Sequence, residues 1–208
     1  MRAGVRLLVA LAGLAAPPLE VSGDPLQYPF RVANVWPFEC CQFGTWTAHQ
    51  TIFVFARERD TGSPAFSIAR NESFTAVRGA YWTLAPVIVR PRAPLELRVE
   101  SGLRLVAPDR AELRETGSTS EERVAVAAGA DVEVLAYLGE GEAVGLAAGK
   151  SVGVSGISPP YSREGAAPDF MVVPPAGATQ WWIEVRYGNR RGWFERGKYD
   201  IDGSDRCE

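Results

Sequence analysis

"WWIEVRYGNRRGWF", Trp181 to Phe194, decides how the rest of the chain is read. Two runs in which apolar and polar side chains alternate flank Gly188-Asn189, a dipeptide suited to a tight hairpin turn. A loop of two residues sets the register, with Tyr187 opposite Arg190, Val185 opposite Gly192, Glu184 opposite Trp193 and Ile183 opposite Phe194. Successive strand residues point to opposite faces. Trp181, Ile183, Val185 and Phe194 therefore make an apolar side that must be buried, and Trp182, Glu184, Arg186, Arg191 and Trp193 share the other. That second side is the candidate ligand-binding face, because glycan and peptide sites commonly set aromatic rings beside arginines. Arg186 and Arg191 face each other, which is destabilising unless a carboxylate lies between them. Glu184, Glu164, Asp169 or an acidic ligand are the candidates for that role. The competing expectation is a structural accessory protein with no small ligand, in which this face is buried between two domains.

A tryptophan followed by alternating residues, a Gly/Asn turn and a Gly-Trp pair resembles the end of bacterial SH3-like (SH3b) domains. The counterparts of the family pattern are Trp181 or Trp182, Val185, Gly192 and Trp193. The turn Asp60-Thr61-Gly62-Ser63 likewise resembles the long first loop of SH3-like barrels. The resemblance implies a small five-stranded barrel at the end of the chain. It also implies a module that binds cell-wall glycan or peptide and mediates contacts between domains, and the partner expected here is a cell-wall component or an envelope protein.

At the other end, Arg2 and Arg6 precede the apolar run Leu7 to Ala16, and Val21, Ser22 and Gly23 follow. Residues 1–23 are expected to be a cleaved secretory signal, which makes the mature protein periplasmic or secreted. The run is too short to span a membrane, which needs about 20 apolar residues. Removing Arg2, Arg6 and Glu20 takes the 22 basic and 25 acidic side chains to 20 and 24, a net charge of about −4. With no clustered Lys and Arg, nothing points to nucleic acid as a partner.

Between these ends, apolar alternating runs are short and turn residues recur, with 21 Gly and 15 Pro, which predicts an all-β protein. The expected arrangement is two small SH3-like barrels in tandem. The first occupies 24–100, with strands in "TIFVFARE", "PAFSIA", "SFTAVR", "YWTLAP" and "VIVR". A linker region covers 101–122, with a loop from Glu115 to Glu122. The second barrel occupies 123–208 and carries a Pro-rich insertion at 157–179. Cys40, Cys41 and Cys207 are the only cysteines. In an oxidising compartment Cys207 is expected to join Cys40 or Cys41, since a ring between neighbours would strain the peptide between them.

The sequence presents no catalytic constellation. His49 is the only histidine, so a multi-histidine metal site is impossible and any His-dependent nucleophile would have to use it. Glu140 and Glu142 read as solvated turn charges. "DIDGSDRCE", Asp200 to Glu208, has a faint calcium-loop character, but Gly203 stands fourth where an EF-hand loop needs glycine sixth. Neither a metal nor a cofactor is expected. Asn71-Glu72-Ser73 matches a glycosylation acceptor, a signal that carries no weight if the source is bacterial, as the SH3-like resemblance implies.

Overall fold

The structure is a computed structural model, and it describes residues 25–35, 43–114, 119–139, 141–157, 170–172 and 179–203. The expected signal segment, the three cysteines, Glu140, Glu164, Asp169 and most of the Pro-rich insertion lie outside these residues.

The protein is all-β, and the one helical element among the described residues is a single 3-10 turn, Arg196–Lys198. In chain order the first strands are β1 (Phe30–Ala33), β2 (Gly44–Ala48), β3 (Ile52–Val54), β4 (Phe66–Ile68), β5 (Ser73–Thr83) and β6 (Val87–Pro91). There follow β7 (Leu95–Glu100), β8 (Leu103–Ala107), β9 (Arg110–Leu113), β10 (Thr119–Val126), β11 (Val132–Gly139) and β12 (Glu142–Ala147). The last are β13 (Lys150–Ser155), β14 (Phe170–Val172), β15 (Thr179–Tyr187), β16 (Arg190–Glu195) and β17 (Ile201–Asp202). Among the described residues, no helix is long and apolar enough to cross a membrane.

Strands β5 and β15 form the spine. They pair antiparallel from Thr83 with Thr179 to Thr75 with Arg186, and β16 continues the sheet beyond β15. On its other edge β5 is shared, its first half pairing with β2 and its second half with β1. Strand β17 adds to β2, while β9 and β8 add beyond β1. A second sheet runs β10-β7-β13-β12-β11-β6-β14, and β3 and β4 make a separate hairpin. The 3.6-residue period of a helix appears nowhere in these runs, whereas the alternation of buried and exposed residues along β1, β3, β4 and β9 has the period of two that a half-buried strand requires.

Two apolar clusters hang from the spine. One fills the space between the two sheets, where Phe30, Val32, Tyr81 and Trp181 meet Val89, Leu135, Val152 and Val154. The other lies inside the curl of β2, β3, β4, β5, β15, β16 and β17, and contains Trp46, Ile52, Ile68, Phe74, Ile183, Val185 and Phe194. Tyr81 and Trp181 stack edge to face at 5.3 Å in the first, and Phe74 and Phe194 do so at 6.0 Å in the second. The apolar side read from the hairpin sequence is thus divided between two cores: Trp181 serves one, while Ile183, Val185 and Phe194 serve the other.

Several expectations change. The sheets are open, so the closed barrels expected from the sequence are not formed. Each of the two larger sheets takes strands from both sides of residues 101–122, and that region itself supplies β8, β9 and the start of β10. "SFTAVR" and "YWT" are one strand, because Gly79 is a close crossing and not a turn. A Cβ there would lie 2.3 Å from the Val35 carbonyl oxygen, and the Gly79 carbonyl accepts the Asn34 N–H at 2.9 Å. Short alternating runs identify strands without naming their partners, and the partners here are about 100 residues apart.

Candidate functional site

The hairpin of β15 and β16 has the register its two-residue turn dictates, from Tyr187 with Arg190 to Trp182 with Glu195. Gly188 takes a φ of 57°, which a glycine adopts without strain. The outer face of the spine is then laid out in rows, since directly paired residues project to the same side. Arg31 of β1, Trp82 of β5 and Gln180 of β15 form one row. Ala33, Ala80 and Trp182 form the next, then Arg78, Glu184 and Trp193. Thr45, Thr75, Arg186 and Arg191 form the last.

The tryptophans of this face are covered. Trp182 and Trp193 are 4% and 8% exposed and cluster with Ala80, Phe55 and Trp82. Phe55 follows β3 and makes a two-way backbone bridge to Trp193, N–H to carbonyl in both directions at 2.8 Å, while its ring meets Trp182 edge to face at 6.3 Å. Gly192 makes this approach possible. A Cβ at that position would lie 2.5 Å from the Phe55 carbonyl oxygen and 2.7 Å from Val54 Cγ1. The glycine of the Gly-Trp pair is therefore a packing requirement of the residue that covers the neighbouring tryptophan.

The chain beyond Phe55 is anchored by Glu58. Its carboxylate accepts Arg31 Nε and Nη2 at 2.7 and 2.6 Å, and Trp82 Nε1 at 2.7 Å. Such a fork of charge-assisted bonds is strong and directional. The Arg59 guanidinium stands 4.9 Å from the centre of the half-exposed Trp82 ring. Sequence reading missed Arg31, Phe55, Glu58 and Trp82. The signal available was the alternation of "YWTL", which puts Trp82 on the side opposite Tyr81.

Glu184 is 8% exposed and receives Arg78 Nε at 2.5 Å, and the same guanidinium lies 5.6 Å from the Trp193 ring centre. The carboxylate is therefore directed to a neighbouring strand. Arg186 and Arg191 are paired across the hairpin, both exposed, and neither forms an ion pair with a described residue. At the hairpin tip the Tyr187 hydroxyl donates to Glu72, a bond that raises the Tyr187 pKa, and Arg190 lies over the Phe66 and Tyr187 rings.

The remaining sequence candidates fall elsewhere. His49 is exposed, with its main-chain N–H bonded to the Asp200 carbonyl at 3.0 Å. Asp202 belongs to β17 opposite Thr47 and accepts the Gly203 N–H at 2.8 Å, so residues 201–203 form a strand end, and residues 204–208 of the candidate calcium loop lie outside the described residues. Glu142 accepts the Ser155 hydroxyl at 2.9 Å. Among the described residues, no three His, Cys, Asp or Glu side chains are grouped to hold a metal ion. The chain matches no protein-family model, no curated protein and no solved structure.

Proposed function

We propose that the protein is a secreted or periplasmic, non-enzymatic interaction protein built on one interrupted SH3-like unit, exported by its segment 1–23. One observation carries this reading. Five strands follow one another across the sheet as β17-β2-β5-β15-β16, the 3-10 turn Arg196–Lys198 leads into β17, and the β3-β4 hairpin returns to β16 through Phe55. All of them surround a single apolar cluster. Residues 84–178 then stand as an insertion between β5 and β15, in place of a second unit in tandem. The partners proposed are cell-wall glycan or peptide, or an envelope protein.

A second reading, a structural accessory protein without a small ligand, is favoured by the burial of Trp182 and Trp193 beneath Phe55. Co-sedimentation of the mature protein with isolated peptidoglycan, and affinity capture from envelope extract, separate the two. Saturable binding that survives physiological salt supports the interaction protein. Recovery in the supernatant, with no envelope component enriched, favours the accessory role.

A further inference from the structure

The last row of the outer face holds two like charges that no described residue neutralises. Thr45, Thr75, Arg186 and Arg191 are successive cross-strand partners, so their side chains rise side by side at the strand spacing of about 4.8 Å. Next to them Thr47 and Ser73 meet hydroxyl to hydroxyl at 3.2 Å. Two guanidinium groups directly opposite each other repel. Among the described residues no carboxylate pairs with them: Glu184 pairs with Arg78, Glu72 accepts the Tyr187 hydroxyl, and Asp202 accepts the Gly203 N–H. The result is a patch with two exposed positive charges and flanking hydroxyl donors on a chain of net charge −3.

We propose that Arg186 and Arg191, flanked by Thr45 and Thr75, are the docking site for an acidic polypeptide segment of a partner protein. One carboxylate seats between the two guanidinium groups and hydroxyls donate to the adjoining residue. This rests on the interaction-protein reading above. Charge complementarity selects the occupant: a planar guanidinium offers paired N–H donors that match a carboxylate, and two such groups hold one from both sides. A nucleic acid is the poorer fit, because two arginines displace few counterions and no lysine-rich surface extends the patch.

The test is fluorescence anisotropy of a labelled octaglutamate peptide with the mature protein at low and physiological salt. Wild type should bind saturably, more weakly as salt rises. The double variant Arg186→Gln/Arg191→Gln should bind about tenfold or more weakly, as the loss of a charge-assisted contact implies. The control Arg104→Gln/Arg114→Gln makes the same charge change on exposed residues at the far edge of the sheet, and should bind as wild type. Circular dichroism verifies folding, and relief of the repulsion should leave the Arg186→Gln/Arg191→Gln melting temperature equal to or above that of wild type. Equal binding by that variant, equal loss in the control, or an oligodeoxythymidylate bound as tightly as octaglutamate would each overturn the proposal. Envelope binding without any octaglutamate binding overturns this proposal and leaves the broader reading standing. Failure of both overturns both.

Discussion

Replacing Gly192 by alanine isolates the contact that covers the tryptophan face. The added methyl would sit 2.5 Å from the Phe55 carbonyl oxygen and 2.7 Å from Val54 Cγ1, and backbone cannot yield as a flexible side chain can. Phe55 must therefore move away from β16. The two bridge hydrogen bonds between Phe55 and Trp193 are then lost, at about 1 kcal/mol each. The edge-to-face contact of Phe55 with Trp182 goes with them, at about 1 kcal/mol. Alanine stiffens the unfolded chain and returns about 0.5 to 1 kcal/mol. The net expectation is a destabilisation of about 2 kcal/mol in urea unfolding, with a red shift of tryptophan emission in the native state as Trp182 and Trp193 meet water. Gly153, within β13, is the internal control, since a Cβ there meets nothing within 4 Å. Gly153→Ala should be neutral or slightly stabilising. If Gly192→Ala is as stable as Gly153→Ala and its emission is unshifted, the close approach of Phe55 is not what buries these tryptophans.

Trp182→Ala, at a position 4% exposed, should lose about 3 to 5 kcal/mol in the same assay, so any loss of binding by this variant must be read against its fold. Glu100 is 5% exposed and its pKa is raised by burial, partly opposed by the Gly102 N–H it accepts. An acid with a raised folded pKa keeps its proton longer when folded, so stability falls as pH rises through its titration. Glu100→Gln should therefore be more stable than wild type near pH 7, and the difference should vanish below the ordinary glutamate range; a gain independent of pH would refute this. Cys207 should appear bridged to Cys40 or Cys41 in non-reducing peptide maps, closing a loop of about 167 residues and contributing up to roughly 5 kcal/mol. A tail peptide with a free thiol would contradict it.

The hairpin was legible because its information is local. Gly188-Asn189 sets the turn, the alternation sets the faces, and both the register and the burial of Ile183, Val185 and Phe194 follow. What lies over each face was not legible. The alternation left Trp182 and Trp193 as either a ligand face or a packed one, and it is Phe55, more than 100 residues upstream, that covers them. Glu184 read as a partner for Arg186 and Arg191, but Arg78 on the neighbouring strand takes it at 2.5 Å. Pairing between β5 and β15 depends on long-range contacts that no periodicity encodes, so strand-dense blocks passed for separate units. The polar stretch 101–122 read as a linker for the same reason, since Arg104 opposite Glu112 and Leu103 opposite Leu113 support a hairpin only once paired.

We propose the arginine end of the closing hairpin, and not the covered tryptophan face, as the contact surface. Amide chemical-shift mapping of the isotope-labelled mature protein, titrated with solubilised envelope extract, tests it most directly. Docking at the arginines gives saturable shifts grouped at Thr45, Thr75, Arg186 and Arg191, while the amides of Phe55, Trp182 and Trp193 stay in place. Shifts grouped at Phe55, Trp182 and Trp193, or no saturable shift anywhere, would contradict it.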